Sequence, residues 1–326
     1  MENNRTKRRK RQRRRKRKLF ISSILVVFFS IIIFGIYEYW DGKNQAEEDI
    51  EKYQDTEQSE DFENNFQGNE PTDEKTNVLI LGSDQDQHGI SRTDTIMIGQ
   101  YNTNENSAKL VSIMRDTYVD IPGEGYNKIN AAYAIGGPEL LRKTIEENFG
   151  IEINYYSIVN FRGFEQIVDT IAPDGVEIDI EKRMYYETKD VTIDLYPGEQ
   201  KLDGEQLLDY ARFRADKDND FGRVARQQHV MSLLKEEMTS FTGVINLPRA
   251  VGTLQPYIDT NMETSKIISL AGDYFMDTPD QIETLRIPIE PYGESYWNEN
   301  HSHAGAVLEI DEQLNREALQ EFLDAE

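Results

Sequence analysis

The chain contains no cysteine and only four histidines in 326 residues. No disulfide can staple it, so its domain must be held by its own core. It has no G-x-x-x-x-G-K-[ST] run, the phosphate cradle of nucleotide-driven enzymes, and no internal repeat. His88 and His229 stand alone, without evident partners. His301-Ser302-His303 lies in a loose stretch with Gly and Asn, where solvation is a simpler reading than metal ligation alongside Glu299. Basic residues are scarce over most of the length. Residues 1–18 hold 12 Lys/Arg and a single acid, whereas the rest carries 24 basic and 59 acidic residues, a net charge of −35.

Charge is missing altogether from Leu19 to Tyr37, nineteen residues rich in β-branched and aromatic side chains. As a helix this stretch spans about 28 Å, enough for a bilayer core. No small-residue A-x-A site follows, so it reads as an uncleaved signal anchor rather than a cleaved leader. The basic block on its N-terminal side orients it with residues 1–18 in the cytoplasm, and Tyr37, Tyr39 and Trp40 suit the opposite interface. The protein is thus expected to be a single-pass type II membrane protein with an extracellular C-terminal domain. Set against a membrane span, the basic block reads as an orientation signal touching anionic lipid, not as a nucleic-acid arm; no nucleic acid partner is expected.

Residues 38–75 are polar and acidic and read as a flexible tether. The extracytoplasmic domain is placed at 76–326, with its motif core at 77–240. Strands are expected at 77–84, 93–101, 108–116, 155–160, 175–180, 191–196 and 284–290. Helices are expected over 128–150, 161–171, 203–212, 222–241, 246–255, 264–275 and 312–324, with Pro138 in a first turn and Gly150 at a stop. The mixture predicts an α/β fold: a mixed central β-sheet flanked by helices on both faces, preceded by one N-terminal transmembrane helix.

Three clusters at element ends carry the chemistry. Asp84, closing the first strand, and Asp94, opening the second, can meet at neighbouring strand mouths as hard oxygen ligands for Mg²⁺ (or Mn²⁺). Taken singly, either is as well explained as a turn-capping carboxylate. Arg115-Asp116 ends the third strand. Between Leu207 and Gln228 the chain reads LLDYARFRADKDNDFGRVARQQ, which puts Arg212, Arg214, Arg223 and Arg226 within fifteen residues, with Gln227 one turn from Arg223. Guanidinium groups so crowded repel unless an anion lies between them, and their forks match phosphate oxygens. The bland alternative is internal pairing with Asp216, Asp218 and Asp220.

The series NVLILGSD, SRTDTIMI, SIMRDTYVDIPGEGYNKINAAYAIGGPELL, YYSIVNFRGFEQIVD, LDGEQLLDYARFR and DNDFGRVARQQ, in that order, resembles the LytR–CpsA–Psr proteins of Gram-positive cell envelopes. It departs from many relatives at Met114, where they have Pro, and at Asp86, where they often have Arg. The resemblance implies a membrane-anchored phosphotransferase. It would move an anionic glycopolymer, such as wall teichoic acid, from a polyprenyl-pyrophosphate carrier to peptidoglycan by phosphodiester formation. Carried over, Asp84 and Asp94 would belong to the Mg²⁺ site, with Asp84 and Arg115 catalytic. Arg92, Arg115, Lys128, Arg212, Arg214, Asp220, Arg223, Arg226 and Gln227 would bind the pyrophosphate. The polyprenyl tail would lie in an apolar channel between sheet and helices.

Two other classes stay open at this point. Asp84-Gln85-Asp86 is a D-x-D, a metal signature of many glycosyltransferases, though no nucleotide-sugar fold signal accompanies it. The domain could also be a non-enzymatic sensor of lipid-linked pyrophosphate, or a regulator resembling a transcription attenuator.

Overall fold

The computed structural model describes residues 29–30, 32–48, 65–71, 74–85, 91–188, 191–214, 219–276, 279, 281–289 and 296–324. The basic tail and most of the apolar run at 19–37 lie outside the described residues. Among those described, no helix is long and apolar enough to cross a membrane.

The first described helix, α1 (residues 32–48), begins inside the apolar run, with Ile33, Phe34, Ile36 and Tyr37 exposed. It continues as helix through 38–48, where polar composition alone suggested a tether. The reason is a docking partner, the helix α6 (Phe241–Leu254). Gly42 approaches the Arg249 carbonyl and Gly252 approaches the Tyr39 carbonyl so closely that neither position has room for a Cβ. Tyr39 donates to Gln255 Oε1 at 2.7 Å, and Arg249 pairs with Glu38 at 3.6 Å and with Asp41.

The domain itself starts before residue 76. Phe66 is buried and packs on Tyr156, with ring centroids 4.9 Å apart. The Asn69 amide donates to the Ile153 carbonyl at 3.1 Å, which lays residues 65–71 across the fold as a strap.

Five strands follow: β1 (Lys75–Gln85), β2 (Ser91–Asn102), β3 (Ser107–Ile113), β4 (Thr117–Ile121) and β5 (Gly125–Lys128). Helix α2 (Ile129–Phe149) is broken at Gly136 and Gly137, whose backbones are non-helical, so Pro138 opens its second half without clashing; Gly150 stops it in the left-handed conformation. Next come β6 (Tyr155–Asn160), α3 (Phe161–Ile171), capped by Asn160 accepting from the Gly163 amide, and the strands β7 (Val176–Ile180), β8 (Met184–Glu187), β9 (Thr192–Leu195) and β10 (Gly198–Leu202). Helix α4 (Gly204–Arg212) opens on a reciprocal Asp203/Gln206 capping box. Then follow α5 (Asn219–Thr239), α6, β11 (Ile258–Thr260), α7 (Thr264–Met276), β12 (Ile282–Ile287), β13 (Tyr296–His301), β14 (Gly305–Ile310) and α8 (Glu312–Asp324).

The central sheet is mixed and six-stranded, in the order β11-β6-β1-β2-β3-β12; β1/β6 and β3/β12 run parallel and the remaining neighbours antiparallel. Its strand period of two divides the residues between faces. Leu79, Leu81, Ile96, Ile98, Val111 and Ile113 join Leu141, Ile145 and Phe149 of α2 and Leu319 and Leu323 of α8 in one core. The other face meets α5, through Gln227 and Gln228. There Val78, Ile80 and Val159 are only half-buried, so this side of the sheet is incompletely closed. A second core gathers α3, α4 and α5 around β7–β10.

The structure departs from a single central sheet. A separate four-stranded sheet, β13-β14-β4-β5, and two ribbons, β10-β7 and β8-β9, accompany it. The stretch at 292–305, expected to be loose, includes β13 and the turn that leads into β14. The strand pair forms because Tyr296, Leu308 and Ile310 complete the α2/α8 core from one face, a long-range gain with no local sequence signal.

Candidate active site

At the C-terminal ends of β1 and β3 the chain makes room. A register shift falls between Gly82 and Ser83, and a Cβ at Gly82 would sit 2.9 Å from Thr95 Cβ. Only glycine lets β1 and β2 approach so closely here. Beyond the shift, Asp84 pairs with Arg92 across the two strands. The side chains of Asp84, Arg92 and Asp220 lie outside the described residues, as does the whole of Asp86.

The described side chains form a linear chain of alternating charge. Asp94 accepts from Arg214 Nη2 through Oδ2 at 2.6 Å, and from Arg115 Nη1 through Oδ1. Arg115 Nε lies 3.3 Å from Asp116 Oδ2, and Lys128 Nζ is 2.8 Å from Asp116 Oδ1. The order is therefore Arg214, Asp94, Arg115, Asp116, Lys128: three cations spaced by two anions, drawn from β2, the β3–β4 turn, the end of β5 and the segment after α4. Burial pushes the Asp94 carboxyl up, but the charges and hydrogen bonds of Arg214 and Arg115 outweigh it and hold the pKa below the ordinary aspartate value. Asp116 behaves alike: burial raises it, while Lys128 and Arg115 bring it down overall. Both carboxylates stay ionised and keep the cations aimed.

The α5 helix closes the site from the open face of the sheet. Gln227 Nε2 donates to Thr95 Oγ1 at 2.9 Å, next to Asp94. Gln228 Nε2 reaches Ser112 Oγ and the Leu285 carbonyl, both at 3.2 Å, tying β3 to β12.

The remaining arginines of the stretch do not all converge. Arg212 pairs with Asp209 one turn earlier on its own helix, at 2.8 Å, and its guanidinium lies over the Phe161 ring. Arg226 turns to the Phe213 carbonyl and ring. Arg223 is buried at 2% exposure. Arg212 and Arg226 thus rest on residues of α4 and the segment just after it, rather than on Asp94.

Some of the site escaped sequence reasoning. Thr95 is a hydroxyl in a strand, and nothing local marks it as the partner of Gln227. Arg286 of β12 pairs in register with Ser112 and lies over the Phe221 ring at 4.9 Å. A lone arginine inside the apolar TLRIPIE strand was the available signal. His301 is about one-third exposed and His303 is exposed, in keeping with solvation, but His301 also stacks on Tyr118 with centroids 4.5 Å apart and pairs with Glu309 at 2.5 Å. His229 Nδ1 is 3.1 Å from the Tyr210 hydroxyl.

As to a divalent cation, no group of three or more His, Cys, Asp or Glu side chains fit to hold a metal occurs among the described residues. A closed protein cage is thereby ruled out for them. Asp94 is an ionised carboxylate whose oxygens each keep acceptor capacity beyond the arginine they hold. That suits a Mg²⁺ shared between one or two carboxylates and substrate phosphates.

The LytR_cpsA_psr family model matches residues 36–318. "Regulatory protein MsrR" of Staphylococcus aureus (strain COL) is 44% identical over 259 residues, which is 79% of this chain and 77% of that protein. "Polyisoprenyl-teichoic acid--peptidoglycan teichoic acid transferase TagU" of Enterococcus faecalis is 32% identical over 252 residues, 76% and 79% of the two chains. Among solved structures, Bacillus subtilis YwtF (TagT) with bound octaprenyl pyrophosphate lipid superposes with a TM-score of 0.56 at 25% identity, covering 79% of this chain and 94% of that one. With its mixed sheet, its strand-mouth ion chain and these matches, the chain belongs to the LytR–CpsA–Psr family.

Proposed function

We propose that the protein is a Mg²⁺-dependent (or Mn²⁺-dependent) phosphotransferase that joins a carrier-linked anionic glycopolymer to peptidoglycan. The observation carrying this reading is the Arg214–Asp94–Arg115–Asp116–Lys128 chain, a fixed row of cations beside a half-open apolar sheet face. Pyrophosphate oxygens meet Arg115, Arg214 and Lys128, with Arg92, Arg212, Arg223, Arg226 and Gln227 around them and Asp220 at the start of α5. The prenyl tail runs along the side bearing Val78, Ile80 and Val159. An acceptor hydroxyl oxygen bonds to the phosphorus that carries the glycopolymer, and that phosphorus loses its bond to the bridging oxygen. Polyprenyl phosphate leaves with the electron pair, and the hydroxyl proton passes to Asp84 and then to water. Fixed cations aimed at developing charge, together with positioning, supply the catalysis. Asp84 and Asp94 would hold the metal, which when bound would supply neutralisation of negative charge on the diphosphate.

The charge asymmetry of residues 1–37 supports the remaining part of the proposal: a type II orientation with the domain outside the cell, held against the lipid surface from which its substrate comes. The test uses the full chain in detergent with carrier-linked glycopolymer, acceptor glycan and Mg²⁺. Polyprenyl phosphate is released and Asp84→Ala abolishes release while the domain stays folded. The name of the Staphylococcus aureus relative favours a second reading, a non-enzymatic regulator that senses lipid-linked pyrophosphate. Saturable binding of the carrier with no release under these conditions would establish the regulator and overturn the enzyme.

A further inference from the structure

The four-stranded sheet β13-β14-β4-β5 buries one face in the core and turns the other outward, where Trp297 and Glu299 are exposed, Tyr118, Lys128 and Glu309 are half-buried and Val307 is buried. Its register places a single row across that outer face. Trp297 pairs with Glu309, Glu309 with Tyr118, and Tyr118 with Lys128. Directly paired residues share a face, so these four side chains stand side by side over three strand intervals, about 14 Å in all. The row does not end in open solvent. Lys128 is held at 2.8 Å by Asp116, which also holds Arg115, so it runs directly into the ion chain of the active site.

The composition of this face is unusual for an exposed sheet. Trp297 is 46% and Tyr126 47% exposed. Tyr118 is backed by His301, which lies nearly parallel to it at an interplanar angle of 17° and is fixed by its bond to Glu309. The Tyr118 hydroxyl is 3.3 Å from His303, whose same nitrogen lies 3.0 Å from the Tyr126 carbonyl, and the Tyr126 hydroxyl donates to Glu312 at 3.0 Å. Rigid aromatic walls alternate with carboxylates. Flat rings offer apolar contact to the C–H faces of pyranose sugars at low entropic cost, and carboxylates accept from hydroxyl and amide N–H groups. With Glu299, Asp120, Glu309 and Glu312 on or beside it, the face repels a polyanion. The anionic donor polymer is therefore disfavoured on this face relative to a neutral glycan.

We propose that the outer face of this sheet, from Trp297 through Glu309 and Tyr118 to Lys128, is the acceptor subsite: it binds a neutral glycan strand and leads a sugar hydroxyl to the diphosphate. This rests on the phosphotransferase reading above and names where its second substrate sits. Lys128 joins the two subsites, because it sits at the end of the sugar row and is aimed by the carboxylate that also holds Arg115.

The chain has two tryptophans, Trp40 and Trp297. In the full chain carrying Trp40→Phe, Trp297 is the only one left, and its emission reports on this face directly. Titration with the β-1,4-linked tetramer of N-acetylglucosamine shifts that emission saturably, and Glu309→Gln weakens the binding. In the transfer assay with the wild-type background, Trp297→Ala raises the acceptor KM about tenfold, the scale of one lost aromatic contact. The KM for the carrier-linked donor and the binding of octaprenyl pyrophosphate stay unchanged. An emission that responds to phospholipid vesicles but not to the tetramer overturns the proposal in favour of a membrane contact. So does transfer that proceeds in Trp297→Ala with an unaltered acceptor KM. If the wild type transfers to no acceptor at all, the phosphotransferase reading fails instead, and the fluorescence titration still decides whether this face binds sugar.

Discussion

Asp94 holds two guanidinium groups at once, and replacing it with Asn gives a sharp test of the charge chain. Asn keeps one acceptor oxygen but turns an amide N–H₂ toward the second arginine, so donor faces donor, and Arg115 and Arg214 are left close together without the anion between them. The Arg115 pair is the better sheltered, with side-chain exposures of 24% and 32%, and a charged hydrogen bond of that kind contributes about 1–2 kcal/mol. Arg214 is 37% exposed, so solvent screening reduces its share to about 0–1 kcal/mol. Together Asp94→Asn costs about 1–3 kcal/mol, or about 2–12 °C in Tm for a domain of this size. The dependence on pH carries more information than the size. The folded pKa of Asp94 is depressed, so its stabilisation is complete above the unfolded value of about 3.9 and is lost as pH falls through the folded value. Thermal unfolding followed by circular dichroism between pH 3 and 7 should therefore show a full gap between wild type and variant at neutral pH, closing below about pH 4. A gap as wide at pH 3 as at pH 7 would refute the electrostatic account and leave only a packing defect.

Arg214→Lys retains the charge but loses the fork, and affinity for octaprenyl pyrophosphate in a binding assay should fall about tenfold or more; undiminished affinity would mean that charge alone suffices. Gly82→Ala drives a methyl group against Thr95, so it should cost about 1–3 kcal/mol and loosen Gln227, read as a lower Tm together with weaker lipid binding. Phe66→Ala should destabilise by about 3–5 kcal/mol in urea unfolding if the strap at 65–71 belongs to the domain, whereas a neutral result would return it to the tether. Gly42→Leu should pry α1 from α6, since its Cβ meets the Arg249 carbonyl at 2.5 Å, and hydrogen exchange should show lost amide protection over residues 38–48.

Much of this was readable from the residues in order. Apolar alternation marks β1, β2 and β3, Asn160 and Asp203 cap the helices they precede, and Gly150 stops α2, because each depends on neighbours within a turn or two. The sign and crowding of the arginines, the Asp94 and Arg115 positions at strand ends, and the family resemblance are equally local. Which arginine meets which acid was not. Arg212 and Arg214 stand two residues apart, yet one turns back to Asp209 and the other crosses to Asp94 on β2. That division depends on a contact with a strand 120 residues away in the chain, which no spacing encodes. The second sheet was illegible for the same reason. The stretch at 292–305, which holds β13, looks loose in isolation, and β13 and β14 form ordered strands because Tyr296, Leu308 and Ile310 have a core to enter.

By itself, then, the sequence determined the main strands of the central sheet and most of the helices, the charged inventory, the apolar run at 19–37 and the family. Each of those is a property of composition or short-range pattern. Tertiary structure alone decided that three cations from separate segments share two carboxylates, that polar residues 38–48 stay helical on α6, and that Trp297 lies in one row with Lys128. Those facts depend on contacts between residues far apart in the chain, where packing and desolvation outweigh local preference.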